Sequence, residues 1–207
     1  MSTRPDVLVP VERLGRWVEN FAARHGGVAL TSDGALHGTA PDGSTFVARL
    51  PFDRTYGGPA DPVAFAAAAV PPSVWGVLLV RKGGFAVARL GGSAMVEHKV
   101  GQRHVQGRTK AGGQSQQRFA RRRDNQSREA YEAAAGHAAR ILRSGPLVTG
   151  GDHAAVDSVL ADARLADLRR SGLTVVDPWL PVPDPRRREL DAAIADAQAV
   201  AIEVHNA

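Results

Sequence analysis

The chain has 207 residues, 43% of them hydrophobic, and its 26 Lys and Arg outweigh 21 Asp and Glu for a net charge of +5. That length and apolar content support a buried core in one large or two small domains. With no cysteine, disulfides, thiolate metal sites and cysteine nucleophiles are excluded, and no stretch approaches the roughly 18 apolar residues that span a bilayer. Arg4 and Asp6 follow Met1 at once, against a signal peptide, so a cytoplasmic protein with no membrane contact is expected.

Val11, Leu14, Val18 and Phe21 recur at three- and four-residue spacings and predict an amphipathic helix over Pro10–His25, which Gly26-Gly27 ends. Short strands are expected at Val28–Thr31, Ala35–Thr39 and Thr45–Leu50, separated by the turn signals Ser32-Asp33-Gly34 and Pro41-Asp42-Gly43. Residues 1–55 thus read as a small helix-plus-strands domain. The Pro-, Gly- and Ala-rich residues 56–73 read as a linker, with room for a short helix over Pro62–Ala69 that Pro71-Pro72 stops.

Residues 74–207 read as the second domain. Val74–Val80, Phe85–Leu90 and Ala94–Val100 are strand-like, and the connections Arg81-Lys82-Gly83-Gly84 and Gly91-Gly92-Ser93 are hairpin-sized, so an antiparallel meander is expected. A long helix should start around Ser115–Gln117 and run to about Arg143. Phe119, Ala130, Ala134, Ala138, Ile141 and Leu142 form its buried stripe, and Arg122, Glu129, Glu132 and Arg140 lie outside. Leu147–Thr149 is a short strand, Asp152 a candidate N-cap, Leu173–Val176 a further strand, and a final helix is expected over Arg186–Val204. Alternation of helix and strand implies parallel additions to the meander. The fold class is therefore α+β, with a mixed five-strand sheet and flanking helices after the small N-terminal domain. Trp17, Trp75 and Trp179 are expected in the core.

Between the third meander strand and the long helix the charge becomes one-sided. Lys99, Arg103, Arg108, Lys110, Arg118, Arg121, Arg122 and Arg123 are eight cations with no Asp or Glu among them, more than the net charge of the whole chain. A local basic stripe is the footprint of a surface that meets phosphate. For Arg118, Arg121, Arg122 and Arg123 the other reading is a solvated helix face, and any one of them can pair with a carboxylate instead. At the centre sits Gly112-Gly113-Gln114, which by itself signals only a flexible loop before a helix, since glycine doublets also occur at Gly26, Gly57, Gly83, Gly91 and Gly150.

The flanks of that tripeptide are more specific. GGQSQQRFARRR resembles the GGQ loop and following helix of the class-one peptide release factors of eukaryotes and archaea, with Gly112, Gly113, Gln114, Ser115, Arg118, Phe119, Ala120, Arg121 and Arg123 at matching spacing. The later LVTGGD and LTVVD segments resemble the middle domain of the same proteins, whose topology is ribonuclease-H-like. Ahead of the glycines, His98-Lys99, Arg103, Arg108 and Lys110 are similar to the approach in the Vms-one-like release-factor (VLRF) family, with spacing offset by about a residue within Gln102–Gly107. The resemblance covers residues 71–207, lacks the zinc-finger and ankyrin parts of the eukaryotic members, and suits a compact bacterial, actinobacterial form.

The resemblance implies a codon-independent peptidyl-tRNA hydrolase on the large ribosomal subunit in rescue and quality control. Gly112, Gly113 and Gln114 would be catalytic, and the eight cations would bind tRNA and ribosomal RNA. No cofactor and no metal are implied, and a monomer is expected. The partners would be the large ribosomal subunit and peptidyl-tRNA. Glutamine has no useful pKa, so Gln114 would act by geometry rather than as a base. The rival reading is a non-catalytic ribosome- or RNA-binding rescue factor of Pelota-like architecture.

Other chemistries find little support in the residues. His98 and His104 lack a third metal ligand, because strand alternation turns Glu97 to the opposite face from His98. No nucleophile-elbow pattern marks a serine hydrolase. The first meander strand carries no carboxylates for a two-metal nuclease.

Overall fold

The computed structural model describes residues 7–102 and 114–207. In chain order they form β1 (Val7–Val9), a 3-10 turn (Val11–Arg13), α1 (Leu14–His25), β2 (Ala29–Ser32), β3 (Leu36–Thr39), β4 (Thr45–Arg49), α2 (Pro62–Ala68), β5 (Trp75–Arg81), β6 (Gly84–Gly91) and β7 (Ala94–Gln102). Then follow α3 (Gln114–Ile141), β8 (Gly145–Gly151), α4 (His153–Leu160), a second 3-10 turn (Ala163–Leu165), α5 (Ala166–Arg170), β9 (Leu173–Leu180), α6 (Arg187–Ala197) and β10 (Val200–His205). The class is α+β, as the sequence predicts. Two compact units share the chain, and they are not consecutive in it.

The first unit comprises residues up to Pro71 together with Val176–Trp179 and Ile194–Ala207. Its antiparallel sheet has the order β1-β10-β4-β3-β2. Leu14, Val18 and Phe21 of α1 are buried, and Trp17 stacks on Phe21 at 5.8 Å and meets Phe46 edge-on at 5.0 Å. Each such buried apolar side chain is worth about 1.5–3 kcal/mol of removal from water. Gly38 is required beneath Phe46, since a β-carbon there would lie 2.1 Å from the ring.

Two expectations fail here. Residues 56–73 are not a linker up to Pro71: the Asp61 carboxylate accepts the Ala64 N–H at 2.7 Å and caps α2, and Phe65 packs against buried Tyr56 with ring centroids 4.6 Å apart. The last helix does not reach Val204. It ends at Ala197, and Val200, Ile202 and Val204 alternate with Ala201 and Glu203 in β10, which pairs with β1 on one side and β4 on the other. A period of two makes a strand of that segment, and the first sheet needs it to join β1 to β4.

The second unit comprises Pro72–Val175 and Leu180–Ala193. Its mixed sheet has the order β7-β6-β5-β8-β9, with the expected β5–β6–β7 antiparallel meander and β8 added parallel to β5. Central strand β5 buries Val77, Leu78, Leu79 and Val80 in succession, the continuous apolar run of a strand covered on both faces. Trp75 is buried and donates its indole N–H to the Gly92 carbonyl at 2.8 Å; Trp17 and Trp179 are only half-buried. Asp152 caps α4, accepting the Ala155 N–H at 3.0 Å. At Gly150 a β-carbon would lie 2.2 Å from the Leu180 carbonyl, so only glycine lets β9 approach β8.

Candidate nucleic-acid interface

The site is built on edge strand β7 and on α3, the helix that follows it. Helix α3 has 28 residues, and its described apolar stripe is Ala130, Ala134, Ala135, Ala138 and Ile141, all buried and packed on β6. Ala130, Ala134, Ala138 and Ile141 belong to the predicted stripe and Ala135 adds to it, Leu142 is buried just past the helix end, and Glu129, Glu132 and Arg140 are exposed; the side chains of Phe119 and Arg122 lie outside the described residues. Gln114, slightly ahead of the expected start, is the first described residue of the helix. At 1.5 Å per residue, Gln114 stands about 24 Å along the axis from Ala130.

Polar contacts fasten the C-terminal half of α3 to the strand. Arg140 donates to Glu97 Oε1, and Arg89 of β6 reaches Glu97 Oε2 at 3.4 Å. The Arg140 hydrogen bond, aided by Arg89, holds the Glu97 carboxyl below the usual carboxylate range. One turn earlier His137 stacks on Phe85 with centroids 5.5 Å apart; burial lowers its pKa, and the charges of Lys99 and Arg140 act in the same direction. On the opposite face of β7, His98 Nε2 accepts from Arg187 Nη1 at 2.8 Å, and Arg187 also binds Asp191 at 2.9 Å. The alternation that separates Glu97 from His98 is therefore realised, one side chain facing α3 and the other α6.

Of the predicted phosphate-binding residues, Lys99 is described: it is exposed on β7, close enough to His137 to act on it electrostatically. Arg103, Arg108, Lys110, Gly112 and Gly113 lie outside the described residues, as do the side chains of Gln114, Arg118, Arg121, Arg122 and Arg123, whose backbones belong to α3. Sequence reasoning did not find the Glu97–Arg140 and His98–Arg187 pairs. Strand alternation gives the faces of Glu97 and His98 but does not name which helix covers each. Among the described residues no group of three or more His, Asp or Glu could hold a metal, and no helix is long and apolar enough to cross a membrane.

Residues 73–203 match the family described as Actinobacteria/chloroflexi VLRF1 release factor. The chain belongs to that family. It takes in most of the second unit, with β5 to β9 and α3, and it places the protein among release-factor-like proteins of translation. An archaeal translation termination factor, aRF1, is similar at 12% identity and a TM-score of 0.32, over 78% of this chain and 51% of the other. A second archaeal protein gives 13% identity and a TM-score of 0.29 over the same shares. This VLRF1-family chain thus spans about half the length of those two solved structures. No curated protein matches it.

Proposed function

We propose that the protein is a codon-independent peptidyl-tRNA hydrolase that cleaves the peptide–tRNA ester on the large ribosomal subunit during ribosome rescue. What supports this reading is the position of Gln114 as the first residue of a 28-residue helix anchored at its far end. A helix leaves its first four backbone N–H groups without intrahelical partners, so a helix that starts at Gln114 would offer that N–H to an external oxygen.

In the reaction, water attacks the ester carbonyl carbon, the bond to the ribose 3′ oxygen breaks, and that oxygen takes the proton as it leaves. Gln114 N–H would donate to the oxyanion that forms on the carbonyl, and one such donor is worth about 2.7–4 kcal/mol of transition-state stabilisation. The side-chain amide, with two donors and one acceptor oxygen, would orient the water and exclude bulkier nucleophiles. Because an amide does not titrate near neutrality, the proton moves through the substrate's own terminal ribose hydroxyl. Gly112 and Gly113 serve by carrying no β-carbon, which allows close approach to the RNA end. Lys99 and the seven arginines and lysines from Arg103 to Arg123 would grip the RNA backbone.

Gln114→Ala tests the reading. In a peptidyl-tRNA release assay on isolated large subunits it should abolish release and leave subunit binding near the wild-type level. Release at the wild-type rate would leave the non-catalytic, RNA-binding reading instead.

A further inference from the structure

The cations of the second unit outside Lys99–Arg123 are not equivalent. Arg89 and Arg140 are engaged by Glu97, Arg164 by Asp162, Arg186 by Asp184 at 2.6 Å and Arg187 by Asp191. Arg81 turns back over Gly151 and donates to the Val182 carbonyl at 3.1 Å. Its neighbour Lys82, at the tip of the β5–β6 hairpin, is exposed and, like the exposed Arg128, Arg169 and Arg188, makes no ion pair with a described residue; of these four it alone sits in a turn of the sheet.

The register gives this tip its place. Arg81 pairs with Gly84, and Gly84 pairs with Gln102, so the hairpin closes the sheet at the same end at which β7 leads into the basic stretch. Followed back from its C-terminus, helix α3 approaches that end. Arg140 meets Glu97, and one turn earlier His137 meets Phe85, the register partner of Gly101. Earlier still, Tyr131 is near enough to Asp152, which follows β8 at this end, for the Asp152 charge to add to burial in raising the phenol pKa. From Tyr131 to Gln114 remain about 25 Å of helix, continuing past the end of the sheet that carries Lys82.

We propose that Lys82 is a further phosphate contact, placed at the end of the sheet past which α3 extends, to take the backbone of the acceptor-arm duplex of the tRNA whose 3′ end Gln114 engages. An RNA whose end sits at Gln114 and whose body lies back along α3 passes this hairpin, whereas ribosomal RNA is under no such constraint. The proposal rests on the reading of Gln114 given above. The side chain suits the task, being a mobile point charge that follows a phosphate track without selecting a base. Asp152 follows β8 at this end of the sheet, its N–H donating to the Val80 carbonyl at 2.9 Å, and its Oδ1 accepts the Ala155 N–H in capping α4.

The test uses Lys82→Ala, Lys82→Glu and the conservative Lys82→Arg in the full chain. Binding to an acceptor-stem minihelix RNA and to empty large subunits is measured over a salt series. For the minihelix, Lys82→Ala should make the slope of log K against log salt shallower by about 0.9, the loss of one duplex phosphate contact. Lys82→Glu should bind more weakly still and Lys82→Arg like wild type, with the melting temperature unchanged throughout. Empty subunits should bind all four proteins alike. An unchanged minihelix slope, or a wild-type protein that binds no minihelix, overturns the proposal; a loss confined to empty subunits overturns the assignment to tRNA. Since binding is read without turnover, failure here is separate from failure of Gln114, which is read as release.

Discussion

The ring of Phe85 lies across Gly101, where a β-carbon would stand 2.3 Å from Cε1. The two are register partners on β6 and β7, and the same ring stacks on His137 of α3. Gly101 therefore sets how closely the edge strand, its neighbour and the long helix can meet, one residue before β7 ends. Gly101→Ala must move the ring or the strand, and overpacking of this kind costs about 1–3 kcal/mol. The expected result is a lower urea midpoint and weaker release, with Gly101→Val worse than Gly101→Ala. A midpoint equal to wild type would show that the ring swings aside freely.

Acid should weaken the protein through Asp162. Its carboxylate accepts from Arg164 Nε at 2.9 Å, from Arg164 Nη2 at 2.7 Å and from the Arg164 backbone N–H at 2.9 Å. The side-chain bonds act first and the backbone bond second, and together they lower its pKa from 3.8 to about 2. A depressed carboxylate contributes stability that is complete above the unfolded value and is lost as pH falls through the folded one. The window is thus from about pH 4 down to about pH 2. Arg164 is half exposed, so solvent limits the effect to about 1 kcal/mol or less. Urea midpoints across that range should fall in wild type and change less in Asp162→Asn, whose deficit should vanish at the acid end.

The second unit was largely legible in the sequence because its signals are local. The meander has hairpin-length connections, α3 repeats alanine at helical spacing, and Asp152 stands where an N-cap must stand. The first unit was legible only in part, because its sheet closes through contacts between the chain ends. Val7–Val9 is three residues long and shows no period, and Val200–His205 follows a helix so closely that its alternation reads as a continuation. At the site, the residue types that bear on phosphate and ester were legible from charge and motif. The partners of Glu97 and His98 were not, since Arg140 and Arg187 lie 43 and 89 positions away in sequence.

That closure makes a prediction about fragments. Strand β10 stands between β1 and β4, with Ile202 fully buried and paired to Val7 and Ala48. A fragment of residues 1–71 contains α1 and α2 but leaves the inner edges of β1 and β4 unpaired, with the buried places of Val200 and Ile202 empty. It should show no cooperative unfolding by circular dichroism or dispersed amide spectrum, and deletion of residues 199–207 from the full chain should abolish the transition of this unit. A fragment 1–71 that melts cooperatively would make β10 an accessory strand rather than a part of the core.

Arg121 and Arg122 should separate grip from chemistry. Both belong to the backbone of α3, within two turns or so of Gln114, in a stretch without acidic neighbours before Asp124. If they hold phosphates, the double replacement Arg121→Ala/Arg122→Ala weakens binding to large subunits and makes the salt slope shallower by about 1.4–1.8, two contacts at about 0.7–0.9 each. Release by the complex already formed should persist at saturating protein, because neither guanidinium is asked to touch the ester; Gln114→Ala has the reverse signature, with binding kept and release lost. Single replacements should each account for about half the change in slope, as independent phosphate contacts do. Binding that does not respond to salt, or a double variant indistinguishable from wild type, would make this a solvated helix face and move the grip to Lys99, Arg103, Arg108 and Lys110.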